Sequence, residues 1–204
     1  MTSIKPSLSI YKLALCLIMA FLFFWQGSLS GQDETDTQTS VSGTDEGWQT
    51  LKSAYCTVYY KPDTNLKRLL GKLSGREIPA DRNPPSYSFG GPEAKLAYRL
   101  DMILMRVKNI LGIYPAQVNI KIKIYKTRRD FASEYCQLTK SSDDCRSFYV
   151  FSYNTIYTSE QDVTDSIMAH EMAHALVDNY FSTVPPEEVG EILARNVDQH
   201  LDDY

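Results

Sequence analysis

Ser166-Ile167-Met168-Ala169-His170-Glu171-Met172-Ala173-His174-Ala175-Leu176-Val177 decides how the rest of the chain is read. It holds the pattern His-Glu-x-x-His. On an α-helix, residues four apart stand one above the other on a single face. Two imidazoles placed in this way reach one zinc ion at about 2.0–2.1 Å each. The glutamate after the first histidine is turned aside, where it meets a metal-bound water without ligating the metal. Two histidines and a third protein ligand leave one coordination position open, which is the arrangement of a catalytic rather than a structural site.

The surroundings predict a helix. Ser159-Glu160-Gln161-Asp162 has the Ser-x-x-acid form of an N-terminal cap. Val163, Ile167, His170, His174, Val177 and Phe181 then follow at alternating steps of four and three, which places both histidines on the buried face. Core histidines bonded to backbone would also satisfy that stripe. The chain has three histidines, however, and two of them flank Glu171 at ligand spacing, which favours metal.

At the amino end, residues 1–30 read as a secretory signal: Lys5 and Lys12 form a basic start, Leu13 to Trp25 an apolar core, and Ser28 and Ser30 suit cleavage before Gly31. Thirteen apolar residues are few for a membrane span, so membrane attachment is expected only if the signal stays uncleaved. The protein is thus expected outside the cytoplasm, secreted or periplasmic. Lys5 and Lys12 are the only charged residues in this segment, so the remainder carries 19 basic against 25 acidic residues, a net charge of −6. That balance argues against a nucleic-acid partner. Residues 31–47, rich in Asp, Glu, Thr, Ser and Gly, read as a disordered linker, and 48–204 as one domain. In an oxidising compartment Cys136 and Cys145, which bracket a polar loop, are the expected disulfide pair, with Cys56 left as a buried thiol in a strand.

Along the domain, Ala54–Tyr60 is β-prone. Asp63 is the expected cap of a short helix carrying Leu66, Leu69, Leu70 and Leu73, and 74–91 is a long loop. Pro92 opens a helix to about Leu111, closed by Gly112. Val118, Ile120, Ile122 and Ile124 alternate with polar residues as a half-buried strand. Thr127 caps a further helix to about Leu138. The basic residues Lys121, Lys123, Lys126, Arg128 and Arg129 read as a solvated face. Ser147–Phe151 and Thr155–Thr158 form an expected hairpin. Pro185-Pro186 then breaks the chain ahead of a last helix over about 187–201.

The third ligand is sought on that last helix, because position i+8 of the motif helix lies about 12 Å along the axis and puts Asp178 out of reach. Val189, Ile192, Leu193, Val197 and Leu201 form an apolar face, and Glu187, Glu191, Ala194 and Asp198 the opposite one. If the second face meets the motif helix, Glu191 ligates, Ala194 permits close approach and Asp198 orients a ligand histidine from behind. Glu188 is the reserve ligand, and plain solvation of that face is the rival explanation.

These residues carry a resemblance. Ser147–Thr158 resembles an edge strand and its neighbour, His170–His174 a zinc helix, and Glu191-Ile192-Leu193-Ala194 a glutamate-led segment on the following helix. Together they make the chain similar to the gluzincin metallopeptidases, the thermolysin-like branch of the zincins. The resemblance implies an α+β, zincin-like minimal domain: a small mixed or antiparallel sheet, with an edge hairpin packed on the His-Glu-x-x-His helix, and further helices. It also implies one bound zinc, with His170, His174 and Glu191 as ligands and Glu171 as catalytic base. A peptide or protein substrate would lie along the strand bearing Tyr149 and Phe151. The chain departs from the family's pattern at Arg195, where an acid is usual, and in lacking a second lobe; Tyr180, His200 or a partner protein would stand in for that lobe's transition-state residue. A zincin-like module that keeps the metal for partner recognition, and a small scaffold with a chance motif, are the competing expectations.

Overall fold

The architecture is a mixed α+β fold, seen in a computed structural model that describes residues 47–73, 90–183 and 185–203. The signal expected over 1–30 and, Gly47 apart, the linker expected over 31–47 lie outside these residues, as does nearly all of the 74–91 loop. The strands are β1 (Gln49–Lys52), β2 (Cys56–Tyr60), β3 (Ile120–Tyr125), β4 (Ser147–Val150) and β5 (Thr155–Ser159). The helices are α1 (Leu66–Lys72), α2 (Pro92–Leu111), α3 (Arg128–Thr139), α4 (Asp165–Tyr180) and α5 (Glu187–His200). Among the described residues, no helix is long and apolar enough to cross a membrane.

The five strands form one sheet in the order β1-β2-β3-β5-β4. The central β2, β3 and β5 run parallel, and the outer β1 and β4 are antiparallel to their neighbours. The parallel connections need long crossovers, and helices supply them. Alternation within the strands splits the core in two. Val58, Ile122, Ile124 and Ile156 face α2 and α4 in the main cluster, whereas Tyr125, Tyr157 and Phe148 face α3 and pack on Phe131. Each fully buried aliphatic chain contributes about 1.5–3 kcal/mol, so the larger cluster sets the stability.

α2 follows the sequence reading closely. Pro92 stands at its first turn, Leu96, Leu100, Leu104 and Val107 are fully buried, and Gly112 ends it in the left-handed region at φ 65°. The same helix carries Asp101, buried and fully engaged. Ser53 Oγ donates to it at 2.6 Å, and the amides of Ala54 and Tyr55 donate at 3.0 and 3.2 Å. Asp101 thereby pins the turn between β1 and β2 to the helix. Asp101→Ala removes the shared acceptor of two partly buried amides and the Ser53 hydroxyl, so we expect it to cost about 1–3 kcal/mol in urea unfolding, with Asp101→Asn costing less.

Several local expectations are corrected. Asn65, not Asp63, caps α1, its side chain accepting from Arg68 N. β1 has no counterpart in the sequence reading; its exposed ends are held in the sheet by pairing with β2. β3 starts at Ile120 rather than Val118. Phe151 is not in the edge strand but in a 3-10 turn, Phe151–Tyr153, closed by Asn154 at φ 47°. The basic cluster is not simply solvated. Lys126 pairs with buried Glu160 at 2.9 Å, Arg128 with Asp144 at 2.6 Å, and Lys123 lies over the Trp48 ring. The disulfide is not formed: Cys136 and Cys145 are free thiols, Cys136 exposed on α3 and Cys145 turned to the carbonyl of Ser147. Cys56 is a buried strand thiol, in agreement with its sequence context.

Candidate metal centre

α4 begins one turn later than its sequence suggests. Thr164 is the cap, its hydroxyl accepting from Ile167 N at 3.2 Å, and Asp165 sits at the positive end of the helix. Ser159 and Asp162 close a separate turn ahead of it, with Ser159 Oγ donating to Asp162 Oδ2 at 2.6 Å. The buried stripe is also displaced by a residue. Met168, Ala169, Met172, Ala173 and Leu176 are fully buried and meet the core, while His170 and His174 are only partly buried. The histidines therefore flank the core stripe and face an open cleft of about 490 Å³.

α5 closes over that cleft by packing on α4. Its close approach depends on small residues: Ala194 is fully buried, and Gly190 lies against the His174 ring. Val197 completes the contact, whereas Val189 and Ile192, expected on the apolar face, are exposed. This rotation directs Glu191 and Asp198 at the two histidines.

The donor atoms converge. His170 Nε2 and His174 Nε2 are 3.3 Å apart, and His174 Nε2 is 3.3 Å from Glu191 Oε1. Two ligands at about 2.05 Å on a tetrahedral ion are separated by about 3.3–3.4 Å, so both spacings suit zinc. Among the described residues, His170, His174 and Glu191 are the one group of three metal-ligating side chains whose donor atoms lie within 4.8 Å of one another. Glu188 is exposed and outside both this group and the cleft wall. Asp198 Oδ2 accepts from His170 Nδ1 at 2.9 Å, which leaves Nε2 with a free lone pair toward the centre. Burial and the neighbouring His170 hold His174 below the usual histidine range and favour the neutral, ligating ring.

Glu171 points to one side of this group and is 6% exposed. Burial pushes its carboxyl up, while the Ser147 hydroxyl, which donates to Oε1 at 2.6 Å, and His170 pull it down. Ser147 carries no signal in the sequence. It lies 24 residues away on β4, and only the placement of the edge strand beside α4 brings the two together. Gly190 also escapes sequence reading. A Cβ there would stand 3.3 Å from His174 Nδ1. Gly190→Leu raises helix propensity yet forces the ring aside. We expect it to weaken zinc binding about 10–100-fold in a competition titration, with helical content unchanged by circular dichroism.

Tyr149, on the same face of β4 as Ser147, lines the cleft, as does Phe151 from its turn. Tyr180 and His200 do not line it. Tyr180 is half exposed, and His200 Nδ1 is turned to Asn196 O. Comparison with protein families, curated proteins and solved structures gives no match to this chain, so the chemistry of the cleft alone speaks for its function.

Proposed function

We propose that the protein is a zinc-dependent peptide hydrolase acting outside the cytoplasm. The observation that carries this reading is the placement of His174 Nε2 at 3.3 Å from both His170 Nε2 and Glu191 Oε1, beside the buried carboxyl of Glu171. An antiparallel edge strand next to the motif helix, with an acid contributed by the following helix, supports the likeness to the gluzincins.

His170, His174 and Glu191 would hold a zinc ion, which would supply Lewis-acid chemistry toward the scissile carbonyl and make water more acidic, to a pKa of about 7. The remaining work belongs to the chain. Glu171 takes the proton of the attacking water and passes it to the leaving nitrogen. Ser147 holds the Glu171 carboxylate by one oxygen and leaves the other free. Asp198 fixes the tautomer of His170. Among the described residues β4 is the outer strand of the sheet, and its edge would offer backbone groups to an extended peptide that adds to the sheet.

The test is metal analysis of protein purified without a histidine tag, together with digestion of a peptide library. One zinc per chain, and cleavage lost on chelation and restored by zinc, is the expected result. Stoichiometric zinc with no cleavage of any peptide would leave a metal-holding recognition module, and absence of a transition metal would remove both readings.

A further inference from the structure

The cleft continues past the metal ligands for another turn of α4. His170, His174 and Asp178 succeed one another at steps of four, so Asp178 stands about 6 Å beyond His174 on the same face. Asp178 lines the cleft and is partly buried, and burial raises its carboxyl above the ordinary range. Among the described residues it makes no hydrogen bond or ion pair. Among the described residues no lysine or arginine lines the cleft, and the α5 wall adds Glu187.

A second observation concerns hydrogen-bond polarity. Tyr149 lines the same cleft, close enough to Asp178 that the aspartate charge adds to burial in raising its hydroxyl. That hydroxyl meets Asn154 Oδ1 at 3.1 Å. The orientation of Asn154 is not free: its Nδ2 donates to the carbonyl of Asn119 at 2.9 Å, so Oδ1 must face the other way. Asn179 is fixed in the same manner, its Nδ2 donating both to the carbonyl of Ala175 at 2.7 Å and to Asn154 Oδ1 at 3.1 Å. Tyr149 therefore spends its only proton on Asn154 and turns lone pairs elsewhere. Asp178 and Tyr149 both present acceptors, and among the described residues no lysine or arginine of the cleft is placed to satisfy them. Partly buried acceptors lose part of their hydration, and a ligand compensates by bringing several N–H groups and a positive charge. A second metal ion does not fit, because Asp178 belongs to no group of three ligating side chains.

We propose that this end of the cleft, formed by Asp178 and Tyr149, is a cation subsite that takes an ammonium or guanidinium group of a peptide lying across the metal ligands. The peptide rests on the hydrolase reading; the cation preference does not. Its sources are a lysine or arginine side chain next to the scissile bond, or the free amino terminus of the substrate.

The experiment uses the zinc-loaded chain and quenched peptides with lysine, arginine, norleucine or glutamate flanking the scissile bond, each with a free or acetylated amino terminus. The expected kcat/KM ratio of lysine to norleucine is about tenfold or more, collapsing to within about twofold in Asp178→Asn. Tyr149→Phe, which keeps the ring and removes the oxygen, lowers the ratio severalfold. A preference that follows the free terminus instead of the side chain, and also collapses in Asp178→Asn, assigns the α-amine to the subsite. Calorimetry with acetyl-lysine and acetyl-norleucine hydroxamates reads the same discrimination without turnover. Tighter binding of the lysine compound, lost in Asp178→Asn, upholds the subsite even if no peptide is cleaved. Cleavage or hydroxamate binding without basic preference overturns the subsite and leaves the hydrolase standing, as does a preference that survives in Asp178→Asn. Failure of both hydroxamates to bind overturns both.

Discussion

Glu171→Gln is expected to lower kcat for peptide cleavage by about 10²–10⁴-fold while the protein keeps one zinc per chain. The substitution removes the group that accepts a proton and little else. The glutamine side chain has the same shape, and its amide oxygen still accepts from the Ser147 hydroxyl that now stands 2.6 Å from the carboxylate. His170, His174 and Glu191 are untouched. Stability should not fall either. Glu171 is buried among acids, with Glu191 and Asp198 both opposing its ionisation, so replacing the charge with an amide relieves repulsion at the site. Unchanged zinc content and an unchanged or raised melting temperature beside lost turnover would place the defect in chemistry. Cleavage by the variant at the wild-type rate would remove Glu171 as the base. A loss of zinc would mean that Glu171 supports the ligands rather than acting on substrate.

The residues of this site are legible in unequal measure. His170, Glu171 and His174 declare themselves through local spacing on a single helix, which needs no knowledge of the fold. Glu191 and Asp198 are reachable because the last helix has two faces and only one of them is acidic. The direction each face takes is harder. Val189 and Ile192 look like core positions yet are exposed, because the small residues Gly190 and Ala194 are what let α5 approach α4, and they set its rotation. On α4 the stripe through the histidines is off by one residue for a related reason. The helix is covered by the core on one side and by α5 on another, so its apolar arc is wide, and alanine and methionine at Ala169, Ala173, Met168 and Met172 blur the periodicity. β1 has one aliphatic residue, Leu51, and becomes a strand only by pairing with β2. Ser147 cannot be found from spacing, since its contact with Glu171 is made between the edge strand and α4.

Glu191→Ala is expected to strip the metal, and Glu188→Ala to leave it in place. Glu191 Oε1 lies 3.3 Å from His174 Nε2, at tetrahedral spacing, whereas Glu188 is exposed and stands outside the cleft wall. The ion pair from Arg195 Nε to Glu191 Oε2, at 3.9 Å on a largely exposed arginine, is too weak to decide where the carboxylate sits. A thermal-shift titration separates the two variants. A ligand that binds only the folded chain adds RT ln(1 + [L]/Kd), about 2.7 kcal/mol at a hundredfold excess over Kd. For a domain of this size that corresponds to a rise in Tm of about 5–10 °C. Wild type and Glu188→Ala should both show this rise on adding zinc. Glu191→Ala should show little of it, because two histidines alone hold the ion far less tightly. Without metal, Glu191→Ala should melt no lower than wild type, since it removes one of the carboxylates crowded around Glu171 and the pair it loses with Arg195 is a surface one. A variant that melts lower without zinc but gains the full shift with it would make Glu191 a packing residue. If Glu188→Ala is the one that loses the shift, the ion is held by a different rotation of α5, and the convergence of Glu191 with the two histidines is not the binding geometry.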